Sequence, residues 1–298
     1  SLTFTSSEAT ADFAIGDIDV TNGALSAFVA VSTTVYTATF TPSDQGASTI
    51  DVAAGAFTDT ATNSSSIATQ FNWTFDNVKP TAAIAYSATS PHKNGDTNVT
   101  ITATFNSVMA ASPVPKIAIA GSDTLGTVSA VVMTKVSTTV YTYVYTVPTG
   151  DGTGTVSLSV GEDLAGNTIT TVPTSGSTFT VDNTSPSMTI TSAEVSDGAT
   201  SNNATLSLTF TSSEATADFA IGDIVVTNGA LSAFVAVSTT VYTATFTPSA
   251  QGASTIDVAA GAFTDTATNS SSVATQFNWT FDNVKPTAAI TYSATSPH

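Results

Sequence analysis

The sequence has no cysteine and no arginine. Without cysteine there are no disulfides and no thiolate metal sites. Lysine alone supplies the positive side chains: Lys plus Arg is 5 against 22 Asp plus Glu, a formal net charge of -17. Nucleic acid and anionic lipid both need clustered Lys or Arg, so no nucleic-acid partner and no direct membrane contact are expected of this region. Divalent cations are the favoured counter-charges. Only two histidines occur, His92 and His298, at equivalent repeat positions read as loop. No Ser-His-Asp arrangement is present, and no catalytic residue is expected. A carboxylate pair for glycoside hydrolysis would need a cleft that a sandwich of about 100 residues rarely has. No apolar run is long enough to span a bilayer, and no signal peptide is recognisable.

Charged residues of either sign make up only 9% of the 298, while hydrophobic residues reach 41%, enough for packed cores. The exposed surface must then be largely Thr, Ser, Asn and Ala. The apolar residues alternate cleanly, which argues against disorder.

The chain is organised around residues 75–80, Phe-Asp-Asn-Val-Lys-Pro. They return at 281–286, and as Val-Asp-Asn-Thr-Ser-Pro at 181–186. Each copy reads as the end of a strand, an Asp-Asn pair and a proline. Proline cannot sit inside a central strand, so each copy reads as a seam between β domains. Residues 1–92 reappear at 207–298 with four differences: Asp19/Val225, Asp44/Ala250, Ile67/Val273 and Ala85/Thr291. The middle segment is a more distant relative. A unit of about 100 residues, in two alternating versions, fits an immunoglobulin-like sandwich. The expected domains are 1–79 (lacking a first strand), 80–185 (the divergent type), 186–285, and 286–298 as the first strand of a further domain. The sequence reads as a window on a longer array. Donor-strand exchange between chains is a minor alternative, because 286–298 matches the start of the middle type and not the missing strand.

In the third domain, period-two patterns and turn signals predict strands at 188–192, 204–210, 219–226, 231–237, 241–246 and 255–259. A last strand carries Phe277, Trp279 and Phe281 on one face. The stretch 194–203 reads as a turn-rich loop, and Thr227-Asn228-Gly229 as a hairpin turn. The fold class is all-β: tandem seven-stranded immunoglobulin-like β-sandwiches in an extended array, with antiparallel strands. Tyr141, Tyr143 and Tyr145 form a stripe that reads as core or cross-strand ladder, with a carbohydrate-stacking face as the alternative.

Several stretches carry a family resemblance. They are Phe-Thr-Ser-Ser-Glu-Ala at 4–9 and 210–215, Phe-Ala-Ile-Gly-Asp-Ile at 13–18 and 219–224, and Val-Tyr-Thr-Ala-Thr-Phe-Thr-Pro at 35–42 and 241–248. Asp-Leu-Ala-Gly-Asn at 163–167 and Val-Asp-Asn-Thr-Ser-Pro at 181–186 add to these. In order and spacing the chain resembles the bacterial Ig-like tandem repeats of giant calcium-dependent surface adhesins, of the RTX and Bap kind. The resemblance spans the whole chain. It implies tandem sandwiches, secretion, frequent calcium between domains and no catalysis.

In such a sandwich the loops after the second and sixth strands lie at the end where the chain enters. Three acidic elements are then expected to meet at each seam. At the second-to-third junction they are Asp182 with Asn183, Glu214, and Asp265 with Asn269. At the first-to-second junction they are Asp76, Asn77, Glu162, Asp163 and Asn167, with Asn106 read in the place of Glu214. The first domain keeps Glu8, Asp59 and Asn63. Carboxylates and amide oxygens without His or Cys form a hard oxygen site suited to Ca2+. As single residues, Asp and Asn are also ordinary turn formers. The second seam is expected to bind tightly and the first to be the looser hinge.

Two functional classes fit. One is a non-catalytic, calcium-rigidified spacer or adhesin stalk on the bacterial cell surface, touching only neighbouring repeats of the same chain. The other is a subunit of an extracellular filament, sheath or surface layer, with lateral contacts to identical chains. A carbohydrate-binding module is third. Asn-x-Ser/Thr triplets at Asn63, Asn72, Asn98, Asn203, Asn269 and Asn278 matter only where the source glycosylates. Lys–Asn cross-links are poor candidates, since the third domain has only Lys285.

Overall fold

The computed structural model describes residues 1–96 and 98–292. It contains three separate hydrophobic cores, each between two small sheets. The first unit has β1 (Leu2–Thr5), β2 (Asp19–Val20), β3 (Gly23–Ala30), β4 (Val35–Pro42), β5 (Gly46–Asp51) and β6 (Phe71–Phe75). Its sheets are β1-β4-β3 and β2-β5-β6. The second has β7 (Ala82–Tyr86), β8 (Val99–Phe105), β9 (Lys116–Gly121), β10 (Val128–Val132), β11 (Thr134–Lys135), β12 (Val140–Tyr145), β13 (Gly152–Ser159) and β14 (Thr178–Val181). These form β11-β12-β8-β7 and β10-β9-β13-β14. The third has β15 (Met188–Ser192), β16 (Ala199–Ser201), β17 (Leu206–Ser212), β18 (Ile224–Val226), β19 (Gly229–Ala236), β20 (Val241–Pro248), β21 (Gly252–Val258) and β22 (Phe277–Phe281). Its sheets are β15-β17-β20-β19 and β16-β22-β21-β18.

Period-two patterning explains the packing. In β17, Leu206, Leu208, Phe210 and Ser212 face inward and are buried. In β22, Phe277 and Trp279 do the same. Alternate side chains of a strand point to opposite faces, so each strand feeds one core.

Three expectations need correction. First, the third unit has an eighth strand, β16, inside the stretch read as a turn-rich loop. It pairs parallel to β22, with Ala199 opposite Trp279. Local patterning misses it because tertiary hydrogen bonds create it. Asp197 accepts from the Asn278 N–H at 2.6 Å, and Trp279 Nε1 donates to Ser201 Oγ at 3.1 Å. Second, the strand expected over 219–226 is strand only from Ile224. Ile221–Asp223 form a single 3-10 turn, closed where Asp223 accepts from the Ala220 N–H at 2.8 Å. Third, His92 is not loop surface. It is 1% exposed and stands in a parallel bridge with Val181. Its ring packs near Tyr86 and Phe179, and neither ring nitrogen has a hydrogen-bond partner.

The tyrosine stripe is core. Tyr141 and Tyr145 are buried, and Tyr143 packs against the same cluster. Of the expected further strand at 286–298, residues 286–292 form no strand, and 293–298 lie outside the described residues. The matching residues of β7 are a strand because β8 pairs with them.

The first and third units show what pairing does to one sequence. Phe277 and Trp279 are 3% and 1% exposed, while the equivalent Phe71 and Trp73 are 53% and 41% exposed. The residues equivalent to the covering elements, β15 and β16, would precede Ser1 and are not among the described residues. Placing residues 186–206 ahead of Ser1 is expected to bury Trp73. Its fluorescence should shift to the blue, and the first unit should gain roughly 3 kcal/mol or more in thermal or denaturant unfolding. An unchanged spectrum would refute this.

His92 gives a pH prediction. Burial holds its pKa below the ordinary value, with the Asp96 charge opposing the shift. A depressed histidine leaves the folded state most stable above the unfolded pKa, and that stability is lost as pH falls. The second unit should therefore lose thermal stability between about pH 7 and pH 5. His92→Phe should flatten that slope.

Candidate metal centre

The second-to-third joint is built from three chain segments. Asp182 follows β14 directly. Its N–H donates to the His92 carbonyl at 2.9 Å, and its side chain caps the Thr184 N–H at 3.0 Å. Glu214 lies two residues past β17, where Ser213 and Ser187 exchange backbone and side-chain hydrogen bonds. Asp265 lies in the loop after β21 and bridges to Thr216 in backbone pairing. Its carboxylate accepts from the Asn269 N–H at 2.8 Å and the Asn269 Nδ2 at 2.9 Å. That Nδ2 also donates to the Asp182 carbonyl at 2.9 Å, tying the loop to the seam. Thr268 holds this loop with φ of 67°, a left-handed value that a β-branched residue adopts only under tertiary constraint.

The structure brings Asp182, Glu214 and Asp265 together. Each offers a carboxylate oxygen, and these lie within 4.8 Å of one another. Asp265 is buried and the other two are half-buried. Three like charges at that spacing repel by roughly 3 kcal/mol per pair at an effective dielectric of about 20. Glu214 Oε1 is buried with no hydrogen-bond partner. A buried acceptor without a donor is costly and marks a place where a cation fits. The donor set is all oxygen, as calcium prefers.

The other sequence-derived residues divide. Asn269 holds Asp265 and the seam, as described. Asn183 turns away: its Nδ2 donates to the Pro148 and Gly150 carbonyls at 3.3 and 2.9 Å. At the first-to-second joint, Asn167 repeats the Asn269 role, donating to Asp163 at 3.0 Å and to the Asp76 carbonyl at 3.1 Å. Asp163 is buried, yet hydrogen bonds from Asn167, Ala165 and Gly166 overcome that burial and hold its pKa low. Asp76, Asn77, Glu162 and Asp163 do not gather into a three-carboxylate group among the described residues. Glu162 stands where Thr264 stands, one residue before the aspartate, each making the equivalent bridge. In the first unit Asp59 accepts from Asn63 Nδ2 and the Asn63 N–H, each at 2.8 Å, and the Asn63 side chain is the main cause of its lowered pKa. Glu8 lies in the equivalent of the Glu214 loop, beside the Asp59 and Asn63 loop.

One alignment needs correction. Asn106 matches Ser213, since each caps the N–H of the residue after the seam proline, Thr81 or Ser187. Ser107 therefore stands where Glu214 stands. The sequence reading erred by one residue because the stretch from the seam proline to this loop is one residue shorter in the second unit, while backbone pairing fixes the register.

Two residues escaped sequence reasoning. Asp151, just before β13, accepts from the Asn183 N–H and from Thr184 Oγ1, the latter at 2.7 Å. The Thr184 bond is the leading cause of its lowered pKa. The signal was the position before a strand-opening glycine, Asp151 against Gln45 and Gln251. Lys93 donates from Nζ to the Thr268 carbonyl at 2.6 Å, a direct bond from the second unit to the third.

Glu214 is pushed up to about 7, by burial first and then by the charges of Asp182, Asp265 and Asp151. A raised carboxylate favours the folded state at low pH, and this contribution is lost as pH rises through the folded value. In chelator, the thermal midpoint of the third unit should fall as pH rises from about 4.5 to 7. Glu214→Gln should remove that fall and raise the midpoint at about pH 8. A slope unaffected by the substitution would count against this assignment.

The family model described as "Bacterial Ig-like domain" matches residues 1–75 and 182–281. No curated protein matches the sequence. Among solved structures, the Escherichia coli adhesin FdeC aligns at 14% identity and a TM-score of 0.39, covering 88% of this chain and 84% of its own. The Bacteroides ovatus protein SGBP-B, of a mixed-linkage glucan utilization locus and solved with a mixed-linkage heptasaccharide, aligns at 11% identity and a TM-score of 0.22. That alignment covers 94% of this chain, which spans 63% of SGBP-B. Neither superposition bears on function. The family match covers more than half of the sequence, and the chain belongs to the bacterial Ig-like domain family.

Proposed function

We propose that this chain is a non-catalytic structural repeat region of a large bacterial cell-surface protein. It acts as an extended spacer or adhesin stalk, stiffened by calcium at its second-to-third joint. The observation that carries the reading is the meeting of Asp182, Glu214 and Asp265 around the unpartnered Glu214 Oε1. Asp182 belongs to the seam, and the other two to loops of the following unit. An ion shared among them fixes the angle at which the third unit leaves the seam. Without it the three charges push the loops apart. The family assignment supports the surface location and the absence of catalysis. The acid excess of the chain suits divalent cations and suits neither nucleic acid nor membrane.

A filament or sheath subunit is the second reading. It rests on β3 and β19, edge strands with no charged residue. Val29 and Val235 in these strands, and Val31 and Val237 just after them, are exposed at matching positions. Uncharged edges invite pairing with identical chains. Tyr141 and Tyr145 are buried, so the tyrosine stripe does not favour the carbohydrate reading.

Titrating the metal-free chain with calcium in a calorimeter, with small-angle scattering in parallel, tests the proposal. Binding with a dissociation constant on the order of 10⁻⁴ M is expected, with a longer, straighter particle than in chelator. Asp265→Asn together with Glu214→Gln should abolish both effects. Identical scattering in calcium and chelator would overturn it.

A further inference from the structure

The two joints answer the same structural problem with opposite chemistry. In each, the side chain before the glycine that opens the strand leading to the seam strand meets the Asp-Asn pair. At the first joint that residue is Gln45. Its Nε2 donates to Asp76 Oδ1 at 2.6 Å, and its Oε1 accepts from the Asn77 N–H at 3.0 Å. The Asp76 carboxylate is thus satisfied by a neutral donor, and it also caps the Val78 N–H at 3.1 Å. At the second joint the equivalent residue is Asp151. It accepts from the Asn183 N–H as Gln45 accepts from Asn77, but it has no proton to donate to Asp182. One donor is replaced by a negative charge, and that charge contributes to raising Glu214. The facing loop changes in step: Ser107 at the first joint, Glu214 at the second. Gln251 donates to Asp282 at 3.0 Å, so the seam after the third unit repeats the glutamine-to-aspartate bond of the first.

We infer that two kinds of joint alternate along the chain: one closed by a cation, the other closed by a glutamine and indifferent to it. Chelation then inverts their order of stiffness. With the ion, the joint at Asp182 is the stiffer. Without it, the joint at Asp76 is, because its hydrogen bonds need no ion. Lys93, through the Thr268 carbonyl, and Asn269, through the Asp182 carbonyl, remain as tethers that hold the opened joint without fixing its angle. This inference rests on the calcium reading above and adds that only alternate joints respond.

The absence of cysteine makes the test clean, since introduced thiols are the only ones to label. In the full chain, one spin-label pair is placed by Ser26→Cys with Ser129→Cys, across the first joint. A second pair uses Ser129→Cys with Ser232→Cys, across the second joint. All three positions are exposed. Pulsed electron–electron distance distributions are recorded in calcium and in chelator. Across the second joint the width should grow about twofold on chelation, and across the first it should not change. Broadening at the first joint as well would overturn the inference while leaving the calcium reading intact. No calcium binding in calorimetry, and no change at either joint, would overturn both. Gln45→Asp with Ser107→Glu should make the first joint ion-responsive. Asp151→Gln should weaken calcium binding by roughly tenfold, since affinity follows the negative charge at the site. A first joint unmoved by its double substitution, or an unchanged affinity in Asp151→Gln, would count against the glutamine–aspartate exchange as the cause.

Discussion

Everything at the joints depends on one short stretch of main chain being held from both sides. The Asp182 N–H is bound by the His92 carbonyl of the unit before it, and the Asp182 carbonyl by Asn269 of the unit after it. Asp76 is held through its carbonyl by Asn167 in the same way. The main chain of a linker is usually free to rotate. Here its hydrogen-bonding groups are spent on two different sandwiches, so the linker is a structural part of both. Side-chain chemistry then decides what fills the remaining space between carboxylates.

The strand pattern of the third unit was legible in the sequence because burial on one face forces a period of two. The seams were legible because proline ends a strand in only a few ways. The parts that were not legible are those created by non-local partners. Strand β16 has no apolar alternation and exists through Asp197, Trp279 and the edge of β22. His92 looked like a polar loop residue, yet its backbone clips β14 and carries the ring inward. Phe71 and Trp73 share their local sequence with Phe277 and Trp279 and differ in burial because burial is a property of what lies opposite.

The candidate site shows the same division. Glu214, Asp182 and Asp265 could be chosen from the sequence because the sandwich topology brings those loop ends together. Asp151 could not, because its contribution appears only beside Gln45 and Gln251 in a structural alignment. The one-residue error at Asn106 had the same origin. Spacing counts residues, whereas backbone pairing counts positions, and the two diverge wherever a loop changes length.

Placing the repulsion at the joints has a consequence for stability. The three cores are separate and apolar, and no carboxylate of the second joint lines the interior of a unit except Asp265, which Asn269 satisfies. On the calcium reading proposed above, ion loss would strain the contact between units far more than the units themselves. On that reading, binding energy at the joint would go into geometry between bodies that are already folded. Such a chain would change its length and bend without unfolding, because a charge that would be ruinous inside a core is tolerable at an edge where water can reach it once an ion leaves.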